Sequence, residues 1–256
     1  MPTPVLEASR LSRTFGDFKA VDDVTFTLYT GEIVGFLGPN GAGKTTTIKM
    51  LTGLLGPSAG MARVAGYDIV TTPLEAKARI GYVPDTPNLY GKLKAGEYLR
   101  FVGQLYKVPP AQVEERMRPM LDMFELTDVA GNYLDTFSHG MQQKVAIIGA
   151  FLHDPQIVFM DEPTVGLDPR SARLIKDLMI RNRNLGRTIF FSTHILEIAQ
   201  TMCDRVIIIN KGRIIADAQV SEMRRMRGDQ SLEDIFLELT GGRDVDDMVK
   251  ELEDGG

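Results

Sequence analysis

At 256 residues, with 43% apolar and 25% charged side chains, the chain has an ordinary globular composition and enough length for one large domain or two small ones. No apolar run approaches the ~18 residues of a membrane-spanning helix, the net charge of −5 argues against a dominant nucleic-acid surface, and a lone cysteine, Cys203, excludes an internal disulfide. The opening Met1-Pro2-Thr3-Pro4 lacks the basic-then-apolar layout of a signal peptide, so a cytoplasmic protein is expected.

Leu6 to Leu11 and Val24 to Leu28 alternate apolar and polar residues, as half-buried antiparallel strands do. The turn between them, Phe15-Gly16-Asp17-Phe18, carries two aromatics. Phe15 is the candidate to stack on a purine base, with core packing as the competing reading. Ile33 to Leu37 is a short apolar run of the kind a buried parallel strand shows, and Ile48, Leu51 and Leu55 then recur at helical spacing. Between strand and helix stands Gly38-Pro39-Asn40-Gly41-Ala42-Gly43-Lys44-Thr45, followed by Thr46, which fits the phosphate-loop pattern in its expected context. Small residues let successive backbone N–H groups converge on phosphate oxygens, and the helix N-terminus adds its positive end. Lys44 is expected to reach the β- and γ-phosphates and the Thr45 hydroxyl to ligate Mg²⁺. Alone, the loop specifies only a nucleoside triphosphate, because kinases, GTPases and many ATPases share it.

Gly56 to Gly60 reads as a loop, followed by a strand-like pair ending at Gly66. Ile80 to Val83 reads as a strand stopped by Pro84, and Asp85 to Asn88 as a loop. The pattern then turns helical: Tyr98, Phe101, Val102 and Leu105 form one stripe, and Val113, Met117, Met120 and Leu121 another, with Pro119 expected to kink or end the second helix. Residues 89–152 are read as a helical insert. The sheet resumes at Ile157 to Met160, Thr188 to Phe191 and Arg205 to Ile209, the last turning at Asn210-Lys211-Gly212 into Ile214-Ile215 as a hairpin. Cys203 is read as a small core residue in an apolar-patterned helix after His194. Ser231 to Asp234 is a candidate capping box for a short docked helix carrying Ile235, Phe236 and Leu239. From 241 to 256 there are six acids against two bases, the composition of a solvated acidic tail.

Three further motifs narrow the chemistry. Asp161 and Glu162 directly follow a buried strand, where the Mg²⁺-holding acid of a phosphate-loop enzyme belongs, and the adjacent Glu162 is the natural general base for an attacking water. His194 follows another strand at the same sheet edge, placed to donate to a γ-phosphate oxygen. Ser138 and Gly140, in Phe137-Ser138-His139-Gly140-Met141-Gln142-Gln143, would offer hydroxyl and N–H donors to an anion from a helix start.

In order and spacing this set resembles the ATP-binding cassette family, the ATPase subunits of ABC transporters, from Phe15 to about Thr240. The resemblance implies an α/β phosphate-loop cassette spanning 1–240, with an antiparallel β subdomain and the helical subdomain 89–152 inserted. It makes Phe15 the adenine-stacking aromatic, 38–46 the nucleotide loop, and Ser138, His139 and Gly140 the family signature. Asp161 becomes the metal acid, Glu162 the base, Gly166-Leu167-Asp168 the dimer-contact loop and His194 the switch histidine. ATP and Mg²⁺ are the implied cofactors. The implied partners are a separate membrane permease, contacted near Asp85 to Tyr90, and a second copy or homologous cassette in an ATP sandwich, with no nucleic acid. The implied location is peripheral, on the cytoplasmic face of a membrane. Ser231 to Thr240 resembles export-type cassettes. Two positions depart from the family: Asp85 replaces its usual Gln as a candidate Mg²⁺ ligand, and His139 and Met141 replace a Gly and a Gln of the signature. The alternatives are an ATP-binding regulatory cassette with little turnover and a soluble, non-transport ATPase.

Overall fold

The computed structural model describes residues 3–227 and 232–241, so the capping serine Ser231 and the acidic tail from 242 onward lie outside the described residues. The predicted N-terminal hairpin is longer than its alternating segments. β1 (Pro4–Phe15) and β2 (Phe18–Tyr29) pair antiparallel around Gly16-Asp17, because bulges that interrupt the alternation keep Val5, Leu6, Ala8 and Leu11 buried. β3 (Ile33–Leu37) leads through the glycine loop into α1 (Lys44–Leu51). β4 (Ala59–Val64) and β5 (Tyr67–Asp68) form a second hairpin that turns at Gly66 rather than ending there.

The first sheet has the order β2-β1-β4-β5, all antiparallel. α2 (Pro73–Lys77) was not legible as periodicity, since its five residues bury only Ala76. β6 (Ile80–Val83) opens the second sheet. α3 (Ala95–Leu105) and α4 (Pro110–Met123) follow, and α4 continues through Pro119 because Val113, Met117 and Leu121 are buried on one face on both sides of it. α5 (His139–Phe151) returns the chain to the sheet and packs on β6.

β7 (Ile157–Asp161), α6 (Pro169–Asn184), β8 (Thr188–Thr193), α7 (Leu196–Met202), β9 (Arg205–Asn210) and β10 (Arg213–Gln219) complete the sheet, followed by α8 (Val220–Arg227) and α9 (Leu232–Thr240). Its order is β10-β9-β3-β8-β7-β6, parallel except for the β9–β10 hairpin. β3, β7 and β8 are buried at every residue, as strands covered on both faces must be. The antiparallel sheet covers one face, where the Phe26, Phe36 and Phe190 rings lie 5.1–6.3 Å apart. Helices cover the other through Val145, Ile148, Ile175, Leu178 and Ala199. Cys203 is buried as expected, but it follows α7 in an extended conformation instead of lying within the helix. Among the described residues, no helix is long and apolar enough to cross a membrane.

Candidate active site

Parallel strands bring their C-terminal ends to one edge, and β3, β7 and β8 there deliver Gly38, Glu162 and His194 respectively. The glycine loop leaves little room for side chains. A Cβ on Gly38 would stand 2.3 Å from the Ile209 carbonyl oxygen, and one on Gly43, where φ is +106°, 2.7 Å from that of Ala20. The loop is therefore wedged between the second sheet and β2. Gly212 N–H donates to Ala42 O at 2.9 Å and Asp22 N–H to Gly212 O at 2.8 Å, which ties both sheets to it.

Lys44 is buried, and its Nζ donates to the carbonyls of Gly38 (2.6 Å) and Pro39 (3.2 Å) within its own loop. Burial lowers its pKa, and the Glu162 and Asp161 carboxylates pull it back up. Asp161 is 1% exposed. Its Oδ1 accepts from the Ser192 hydroxyl at 2.5 Å, while Oδ2 is buried with no hydrogen-bond partner. Burial raises the Asp161 pKa; the hydroxyls of Ser192 and Thr45 oppose the shift, and the charges of Asp85 and Glu162 reinforce it. Lys44, Thr45, Asp85 and Glu162 thus all interact electrostatically with Asp161.

Glu162 takes a left-handed backbone, φ +49°, which costs a non-glycine residue roughly 1–3 kcal/mol. Its N–H stabilises the turn by donating to Ser192, to O at 3.2 Å and Oγ at 3.1 Å. The turn leaves Glu162 Oε2 3.0 Å from His194 Nδ1. Ser192 therefore fixes both acids, a part that the sequence reading did not assign it. The available signal was a small hydroxyl interrupting a buried apolar strand. Gln143 was likewise missed: it is 1% exposed and its Nε2 donates to Pro84 O at 3.2 Å, bracing the Asp85 turn from α5.

Ser138, His139 and Gly140 stand elsewhere, at the start of α5. Ser138 is its N-cap, with Oγ accepting from Met141 N–H at 3.3 Å. A Cβ on Gly166 would lie 3.3 Å from the His139 ring, one on Gly140 3.4 Å from Leu167, and Lys144 Nζ is 3.8 Å from Asp168. These residues face the 166–168 loop of their own chain. Phe15 sits at the tip of the β1–β2 hairpin, 46% exposed, and Tyr90 is exposed against Tyr98 and Phe101.

Comparison with known proteins matches the family model described as ABC transporter over residues 21–165. The linearmycin resistance ATP-binding protein LnrL of Bacillus subtilis is 37% identical, covering 88% of this chain and 73% of its own. A solved ATP-binding subunit of an ABC transporter superposes with a TM-score of 0.88 at 37% identity, over 92% of this chain and 99% of that one. A dimeric ATP-binding cassette in a post-hydrolysis state bound to ADP and Pi superposes with a TM-score of 0.76 at 25% identity, over 84% and 98% of the two chains.

Proposed function

The chain belongs to the ABC transporter family as an ATP-binding ATPase subunit, and on that premise we propose that it hydrolyses ATP at the edge formed by Gly38 to Thr46, Asp161, Glu162 and His194 to power export through a separate membrane permease. The observation that carries this is the Glu162–His194 pair, 3.0 Å apart at the same edge as Lys44 and Asp161. The loop N–H groups and Lys44 bind the triphosphate, with Lys44 exchanging its two carbonyl partners for phosphate oxygens. Glu162 accepts the proton of the attacking water, and His194 orients Glu162 and donates to the γ-phosphate end. Phe15 stacks on the adenine.

The unpartnered, buried Oδ2 of Asp161, on a carboxyl that the Thr45 hydroxyl also acts on, suits a hard divalent cation, and Mg²⁺ would be held by Thr45 and Asp161, with Asp85 as a further oxygen donor. A Mg²⁺ held there would supply positive charge against the phosphate oxygens. Ser138, His139 and Gly140 close over the nucleotide of a second cassette, as the dimeric family member supports. The permease engages a cavity of about 620 Å³ beside Asp85, lined by Lys49, Lys77, Tyr82, Leu89 and Tyr106, and holds the chain on the cytoplasmic face of the membrane. Export follows the resistance function in the name of the relative LnrL.

The test is Glu162→Gln, which removes the base and keeps the size: ATPase activity should fall at least about 100-fold with ATP binding retained. The same variant should form a dimer with ATP, and Ser138→Arg should abolish that dimer. Wild-type turnover in Glu162→Gln overturns the assignment of the base. A monomer at high concentration with ATP overturns the sandwich.

A further inference from the structure

The hairpin tip carries two exposed aromatics, Phe15 at 46% and Phe18 at 65%, and they differ in what stands behind them. The guanidinium carbon of Arg13 lies 4.7 Å from the centre of the Phe15 ring, over its face, whereas among the described residues no cation lies over Phe18. Arg13 is itself anchored: Nη1 donates to the Gly56 carbonyl at 2.7 Å, and Nε is buried without a hydrogen-bond partner. The same loop is stitched to β1 twice more, by Ser58 N–H to Ser12 O at 2.8 Å and Thr14 N–H to Ser58 Oγ at 3.1 Å. Gly56 lies in the loop that follows the phosphate-binding helix α1. The arginine therefore links the loop that leaves α1 at its C-terminal end to the ring at the hairpin tip.

We propose that Arg13 is a positioning residue for the nucleotide base: its guanidinium occupies one face of Phe15, holds the ring, and leaves the opposite face as the platform on which the base stacks. This rests on the reading of Phe15 as the adenine-stacking residue. An exposed ring at a hairpin tip samples several rotamers, and ordering it on binding weakens the stack. A partly desolvated cation fixed over one face orders the ring beforehand, and it acts only on ligands that carry a base.

The experiment measures binding of ATP and of inorganic tripolyphosphate, both with Mg²⁺, to the wild type, Arg13→Ala, Phe15→Ala and the double variant. Arg13→Ala should raise the Kd for ATP by about three- to tenfold, the range expected for a partly desolvated cation–π contact, and leave that for tripolyphosphate unchanged. Arg13→Lys should recover part of the loss because it restores the cation. In the Phe15→Ala background, Arg13→Ala should have no further effect, and Phe18→Ala alone should change neither Kd. Equal weakening of ATP and tripolyphosphate by Arg13→Ala overturns the proposal in favour of simple support for the 56–58 loop. Additive losses in the double variant overturn it while leaving Phe15 as the stacking residue. Unchanged ATP binding in Phe15→Ala removes the underlying stacking reading, and the proposal with it.

Discussion

Replacing Ser192 with alanine tests whether one hydroxyl organises both acids. Its Oγ donates to Asp161 Oδ1 at 2.5 Å and accepts from Glu162 N–H at 3.1 Å, in a site where Asp161 Oδ2 already has no partner. Ser192→Ala removes the hydroxyl from which the buried Oδ1 accepts. Losing a buried hydrogen bond to a charged group costs about 1.5–3 kcal/mol. Spread over a chain of 256 residues this lowers Tm by roughly 3–12 °C at neutral pH. The sign of its pH dependence follows from the raised pKa of Asp161. The folded chain holds the proton to higher pH than the unfolded chain does, so this group costs stability as pH rises through and beyond the unfolded value of 3.8. Without the Ser192 hydroxyl, which favours the charged form, the folded pKa rises further. The stability gap between variant and wild type should therefore widen as pH rises above the unfolded value of 3.8 and narrow as pH falls toward it. Thermal unfolding across that range measures it. A gap that stays constant with pH would assign the loss to packing and refute the electrostatic argument.

His153 stacks on Tyr106 with ring centres 3.7 Å apart, its Nε2 meets Ile80 O at 2.9 Å, and burial lowers its pKa from 6.5 to about 4. The folded chain favours neutral imidazole, so the wild type should lose up to about 3 kcal/mol as pH falls from 6.5 toward 4, and His153→Phe should flatten that slope in denaturant titrations; superimposable slopes would refute it. Asp85 exerts its charge on Asp161 from the Pro84–Thr86 turn, so Asp85→Ala should reduce Mg²⁺-dependent turnover more than Mg²⁺-free nucleotide binding. Equal effects on both would remove Asp85 from the metal set.

Most of the frame is legible because it rests on periodicity and glycine placement. The runs at Ile33, Ile157 and Thr188 are fully buried parallel strands, and burial on both faces is what a continuous apolar run encodes. The ends of elements are less legible: β1 extends to Phe15 through bulges that no alternation announces, and α4 ignores Pro119 because its buried face outweighs one lost backbone bond. The site divides in the same way. Acids beside a strand end are visible as a motif, but the left-handed turn at Glu162 and the Ser192 hydroxyl that holds it depend on the register Asp161↔Ser192 between β7 and β8. Pairing partners far apart in the chain leave no local mark. Gln143 is hidden for the same reason, since its carbonyl partner Pro84 is 59 residues away.

Glu162 and Asp168 are separated by a short loop, and its last three residues carry the contacts to His139, Gly140 and Lys144 at the start of α5. The proposed base, Glu162, therefore stands four positions before the 166–168 loop against which the proposed signature packs. A glycine at 139, the usual family residue, would lack the ring that lies against Gly166. The His139 ring thus ties the start of α5, where Ser138 is the N-cap, to the loop that follows Glu162.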